Sequence, residues 1–362
     1  MNDAKDVRRS TTDGKIDQLE FQKRYLERFE GSEFLGMQNE IQALCDIAWE
    51  SYKKGRKAPN TQKAGAGYAH PDYELNVHWI KANADLRKAE EEYKTSETPR
   101  ILIVNGSDRN PNTCPGEISK SSRLIEAAQK AIHAESKDTF VQIDVLNLNE
   151  MTAEFGKVIY PCKGCVSTAM PLCHYPCSCY PHHSLGQVND WMNDIYPMFA
   201  RAHGILFITP VYWRQAPSAL KLLMDRMVCA DGGNRDPTST KGKTAELAKQ
   251  LELDGWDYPR HLKGRIYSVV VHGDAEGIDD LKTALTNWLD AMNLVPAGTL
   301  PSLARYIGYM EPYATSHKAL DKDKAIFKEV ENVATALIRT VVDKRKGLLS
   351  AYQQELDDPR PK

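Results

Sequence analysis

Short, unbroken apolar runs alternate along residues 100–300 with longer stretches whose apolar positions recur every three or four residues. The runs 100–106, 140–146, 204–210 and 265–272 are strand-length and apolar at nearly every position. That is the pattern of strands buried on both faces of a parallel sheet. A fifth, shorter run lies at 294–300, and helical spacing marks 117–134, 185–202, 218–228, 277–292 and 320–344. A polar loop at 231–261 carries one further helical stretch near 244–253. Strand–helix alternation predicts an α/β fold, a parallel sheet covered on both faces by right-handed crossovers. Five strands suit the doubly wound order 2-1-3-4-5, which binds ligands beyond the carboxyl ends of the first and third strands.

Residues 1–97 show no strand pattern. Helical spacing at 15–29, 37–52 and 73–93, with a Gly/Pro/Lys-rich loop at 57–71, predicts an N-terminal helical extension that covers a sheet edge or forms a dimer arm. The expected organisation is this extension, an α/β domain over 98–345 and a polar tail over 346–362.

Charge narrows the classes of partner. The 362 residues carry 47 basic and 49 acidic side chains, a net charge of −2, which gives no basic surplus for nucleic acid. The longest apolar run, near 205–211, is strand-sized, so no membrane span is expected. The first 21 residues, MNDAKDVRRSTTDGKIDQLEF, contain no apolar signal core. Five of the eight cysteines fall between Cys162 and Cys179, a clustering that suits reduced thiols or a metal site in a cytoplasmic chain more than a disulfide framework.

The expected chemistry lies in the loops after the strands. The first, Gly106 to Gly116, offers Ser107, Arg109, Asn112 and Thr113 just ahead of a helix, a cradle suited to one phosphate. Ser119, Ser121 and Ser122 offer alternative hydroxyls where that helix opens. No second glycine follows Gly106 two residues on, so the dinucleotide fingerprint is absent. Residues 237–244 lack the first glycine of a triphosphate loop and follow no strand, and Asn105, Gly106 and Ser107 replace the acidic residues of a phosphoacceptor site. After the third strand come Pro210, Val211, Tyr212 and Trp213, adjacent aromatics suited to a flat heteroaromatic ring. After the fourth come His272, Gly273 and Asp274, where glycine permits close backbone approach. Lys221 and Asp225 read as an ion pair on a solvated helix face.

The set ILIVNGSDRN, GILFITPVYW with APSALKLLMDR, and VVVHGDAEG resembles the NADPH-dependent FMN reductase and iron–sulfur flavoprotein branch of the flavodoxin-like superfamily. The resemblance implies a flavodoxin-like fold, FMN as cofactor and NAD(P)H as co-substrate. It implies a flavin or quinone reductase in which hydride passes through flavin N5 to a small electron acceptor, in a dimer or tetramer. Ser107, Arg109, Asn112 and Thr113 would hold the phosphate, with Ser121 as an alternative; Pro210 to Trp213 would hold the ring and ribityl chain. Gly273, between His272 and Asp274, would lie at the ring's polar edge. An electron-transfer flavoprotein with an iron–sulfur cluster and a flavin-binding regulator without turnover are the alternatives.

Cys162 and Cys165 form a C-x-x-C pair, followed by Cys173, Cys177 and Cys179 and by His182 and His183. Cys162, Cys165, Cys173 and Cys177 are the candidate ligands of an iron–sulfur cluster or zinc. A redox or structural dithiol and plain buried thiols are the competing readings.

Overall fold

The structure, a computed structural model, describes residues 16–53, 61–110, 113, 116–136, 140–151, 157–179, 190–298 and 300–349. Helices α1 (Gln18–Leu26) and α2 (Gln38–Lys53) pair through Phe21, Tyr25, Trp49 and Tyr52. A small antiparallel hairpin follows, β1 (Thr61–Lys63) with β2 (Glu74–Asn76), leading into α3 (Val77–Thr95). The hairpin departs from the expectation of an all-helical extension. Three-residue strands, one of them polar throughout, are too short to display a period of two.

The α/β part then runs β3 (Arg100–Asn105), α4 (Lys120–Glu135), β4 (Gln142–Asn147), the short α5 (Leu148–Met151), α6 (Met192–Arg201) and β5 (Gly204–Pro210). It continues with α7 (Ser218–Arg226), α8 (Val228–Gly232), α9 (Ala245–Leu253), β6 (Ile266–Gly273), α10 (Ile278–Ala291), β7 (Val295–Pro296), β8 (Ser302–Tyr306), α11 (Tyr313–Lys322) and α12 (Lys324–Arg345). The sheet order is β4-β3-β5-β6-β7, with β8 also paired to β6 and every pair parallel.

The outer position is therefore shared by two short strands where the sequence predicts one. β7 pairs with the start of β6 at Ile266 and Tyr267, and β8 with its end from Val269 to Gly273. Pro296 and Pro301 cannot donate to the ladder, and Gly298 takes the left-handed φ of +54° between them, so one continuous strand cannot form there. The closing helical stretch is likewise two helices, α11 and α12, divided at Asp323, whose carboxylate accepts from the Ala325 and Ile326 amides. The predicted start of α6 at 185 falls outside the described residues.

Strand alternation divides the core. Leu102, Val104, Ile205, Phe207, Val269 and Val271 face α3, α6, α7 and α10, while Ile101, Ile103, Leu206, Ile208, Ile266 and Val270 face α4 and α12. Helix α3 is thus part of the core: Leu86 and Ala89 join its first face. Trp79 Nε1 donates to Pro176 O at 2.8 Å, and Arg235 forms a two-pronged ion pair with Glu90 at 2.6 and 2.7 Å.

A candidate flavin site at the sheet's carboxyl edge

Three strand ends converge. At the end of β3, Gly106 presses on β5: a Cβ there would stand 2.5 Å from Thr209 Oγ1, so no larger residue fits without displacement. The chain then locks itself. Ser107 N donates to Asn105 Oδ1 at 3.2 Å, Arg109 N to Ser107 Oγ at 3.2 Å, and Asn149 Nδ2 to Arg109 O at 2.8 Å. Ser119 caps α4 by accepting from Ser122 N at 3.1 Å, and the N-terminus of this 16-residue helix opens beside the loop.

Lys120, absent from the expected set, is a defining group of this corner. It is 4% exposed, and its Nζ donates to Ile307 O at 2.8 Å. Burial pushes its pKa down, opposed by the Asp274 carboxylate. The Arg109 guanidinium lies 4.2 Å from the Tyr313 ring centre and Lys120 Nζ 5.4 Å from it, so one aromatic ring gathers both cations.

The second wall follows β5. Val211 N donates to His272 O at 2.8 Å, and Tyr212 exchanges two backbone bonds with Gln215 at 2.9 and 2.8 Å. The third wall is His272, Gly273 and Asp274. A Cβ on Gly273 would stand 2.6 Å from Val211 Cγ1, while its carbonyl accepts from Ile307 N at 2.8 Å. His272 is buried with its Nε2 2.8 Å from Ser121 Oγ. Burial and the Lys120 cation push its pKa down to about 3, so the ring is neutral at ordinary pH.

These walls enclose a cavity of about 270 Å³, lined among others by Ser107, Arg109, Ser121, Pro210, Val211, Tyr212, His272, Gly273 and Asp274. Nine expected residues therefore meet at one place. Ser119, Lys120, Ile307 and Tyr313 complete the lining. Ile307 and Tyr313 lie past the last strand with no motif around them, and a lysine one residue into a helix gives no sign that it will be buried.

Two expected residues stand apart. Thr113 bonds to Asn110 and does not line the cavity, and Asn112 lies outside the described residues. Trp213 is 95% exposed. It and Arg214 occupy the centre of the Tyr212–Gln215 turn with φ of +47° and +63°, a mirror-image turn that carries the indole outward. Lys221 and Asp225 form the expected surface pair at 2.5 Å.

A match to the family model for NADPH-dependent FMN reductase covers residues 99–305, from the start of β3 into β8. The chain belongs to the NADPH-dependent FMN reductase family. It is a flavin-dependent oxidoreductase whose cofactor is FMN. No curated protein sequence matches it. Among solved structures, RosB with a bound 8-demethyl-8-formylriboflavin-5'-phosphate intermediate is 13% identical, covering 73% of this chain and 94% of that one at a TM-score of 0.41. An azoreductase from Bacillus anthracis is 13% identical, covering 66% and 99% at a TM-score of 0.36. An NADPH-quinone reductase from P. pentosaceus is 15% identical, covering 66% and 98% at a TM-score of 0.32. Among the described residues of this reductase, no helix is long and apolar enough to cross a membrane.

The cysteines of the reductase do gather away from this site. Cys162, Cys165, Cys173, Cys177, Cys179 and Cys229 surround one minute void together with Arg226 and Lys243. The metal expectation does not follow from this. Among the described residues, no three His, Cys, Asp or Glu side chains are disposed to hold an ion. Two cations point into the group, and Cys165 Sγ and Cys179 Sγ stand 3.5 Å apart as a hydrogen-bonded thiol pair. His182 and His183 lie outside the described residues.

Proposed function

We propose that this chain is an NAD(P)H-dependent reductase that binds FMN in the 270 Å³ cavity and passes reducing equivalents to a small acceptor of the flavin or quinone type. The observation that carries the reading is the pairing, across one cavity, of a cationic hydroxyl-rich corner with an apolar wall. The donor set suits FMN. Ser107, Ser119 and Ser121 supply hydroxyls, Arg109 and Lys120 supply charge, and the α4 N-terminus supplies the positive end of its dipole, together matching a single dianionic phosphate. Beside them, buried Pro210 and Val211 with half-buried Tyr212 offer an apolar and aromatic surface suited to a ring system.

Bound here, FMN would supply two-electron redox chemistry between a nicotinamide and the acceptor. The protein's own part is to bind, orient and exclude water. Gly106 and Gly273 let β3, β5 and β6 end side by side, so the two walls keep a fixed separation. Neutral His272, bonded to Ser121, adds no third cation to the phosphate corner and holds that serine in place. Asp274 lines the cavity and balances Lys120. The described residues contribute no nucleophile to this scheme, because the cofactor carries the reactive atoms.

Two measurements test the proposal. The absorption spectrum of purified protein and the mass of the heat-released cofactor should identify FMN; recovery of FAD, or no flavin after reconstitution, would overturn the assignment. Steady-state oxidation of NADPH and NADH with quinone and free-flavin acceptors should show turnover. A flavin-loaded protein that oxidises neither nucleotide would instead be an electron carrier or regulator.

A further inference from the structure

A second cavity, of about 530 Å³, lies against the N-terminal hairpin and the cysteine segment. Its walls are apolar where Leu75, Trp79 and Leu172 line it, and two cysteines line it as well, Cys165 and Cys179. The other cysteines of the group, Cys162, Cys173, Cys177 and Cys229, line the inner void and not this cavity. The two at the cavity wall stand 3.5 Å apart, sulfur to sulfur. Lys243 Nζ, held by the Leu172 carbonyl at 2.5 Å, lies 3.6 Å from Cys165 Sγ.

We propose that Cys165 and Cys179 are a dithiol–disulfide couple, and that this second cavity is a thiol-exchange site for small organic disulfides. Three features carry the assignment: sulfurs already in contact, a fixed cation beside one of them, and an apolar cavity onto which both face. Cys165 is the attacking sulfur, because the Lys243 ammonium stabilises its thiolate. The thiolate attacks one sulfur of the disulfide RSSR. A Cys165–S–S–R bond forms, the RS–SR bond breaks, and RS⁻ departs with the electron pair. Cys179 gives its proton to that leaving thiolate and attacks Cys165 Sγ. The intramolecular disulfide forms, and a second RS⁻ leaves. The protein pair has lost two electrons and the small disulfide has gained them, giving one RSH and one RS⁻.

Cys177 is the competing partner, since it too lies next to Cys179 within the cluster, and the test separates the two. Full-length, FMN-loaded protein is incubated with oxidised glutathione, quenched by alkylation and mapped by peptide mass. The wild type is expected to show a Cys165–Cys179 disulfide and a loss of two hydrogens. Cys179→Ser should stop at a glutathione adduct on Cys165, Cys165→Ser should give neither product, and Cys177→Ser should behave as the wild type. Retained flavin absorbance and circular dichroism verify that each variant is folded; Cys165→Ala and Cys179→Ala repeat the readout where a serine variant is not. A disulfide joining any other pair, or a first adduct on another cysteine, overturns the proposal. So does a folded protein that stays unmodified while its unfolded form reacts, or purified protein with stoichiometric zinc or iron on these thiols.

Discussion

The two cavities of this reductase are built by opposite means. The proposed flavin site stands at the ends of β3, β5 and β6, strands fixed by the sheet ladder and buried on both faces. Most of its polar groups sit in the last residues of those strands, within four residues beyond them, or at the start of a helix, so the sheet ladder largely sets where they lie. The thiol cavity has no such frame. Its walls come from a hairpin, the start of α3, two short 3₁₀ turns and a loop ahead of α9, elements far apart in sequence. What holds them is a set of side-chain ties, chiefly the Arg226–Asp190 pair and the Trp79 and Arg235 contacts. Sheet ends give a site its position locally; an irregular site obtains it through buried long-range bonds.

The sharpest way to break the second kind of site is at Arg226. It is 1% exposed, pairs with Asp190 Oδ2 at 2.5 Å and donates to Tyr160 O at 2.8 Å. Arg226→Met leaves a buried carboxylate without its cation, at a cost of roughly 3–5 kcal/mol in denaturant unfolding. The cysteine segment should lose protection from hydrogen exchange before the sheet does.

At the flavin site, Arg109→Ala and Lys120→Met should each lower FMN affinity relative to riboflavin, which lacks the phosphate. The expected loss is about 1.5–3 kcal/mol, or ten- to a hundredfold, by flavin fluorescence titration. The ratio of the two affinities cancels general destabilisation, and an unchanged ratio in both variants would remove the phosphate from this corner.

Gly106→Ala tests the contact between strands. Its Cβ would meet Thr209 Oγ1 at 2.5 Å, and Thr209 is fully buried and β-branched. A destabilisation of roughly 1–3 kcal/mol is expected, with a parallel fall in FMN affinity as the two walls shift.

Stability should also depend on pH through His272. Its folded pKa of about 3 lies below the ordinary histidine value, so between them the unfolded chain binds the extra proton. Its contribution is complete above the unfolded pKa and is lost as pH falls toward 3, by about 1.4 kcal/mol per pH unit in that window. His272→Gln should flatten the slope of unfolding free energy between pH 6 and 4 (about one proton's worth).

The smallest effect belongs to Trp213. An indole 95% exposed contributes little to the fold, so Trp213→Ala should change stability by less than about 0.5 kcal/mol. A fall in FMN and riboflavin affinity by equal factors would show that the turn folds over the ring when ligand binds; no change in either would confine the ring wall to Pro210, Val211 and Tyr212.

Much of the lining of the candidate flavin cavity was readable because a run of apolar residues announces a buried strand and the next few residues must lie at its end. Ser107, Arg109, Tyr212, His272 and Gly273 were all accessible by that reasoning. Lys120 and Tyr313 were not, since an isolated lysine or tyrosine carries no periodic mark of burial. The split of the outer strand was present in Pro296, Gly298 and Pro301, residues that interrupt a ladder whatever the tertiary context.

The sequence by itself determined the alternation of strands and helices, the parallel sheet and the loops that line the first cavity, because each depends on local periodicity and chain direction. Tertiary structure decided that α3 belongs to the core, that Trp213 points outward and that Lys120 is buried against Ile307. It also decided which two of the clustered cysteines meet at an open wall. Those outcomes depend on which distant segments press together, and pairwise spacing along a chain contains no record of that.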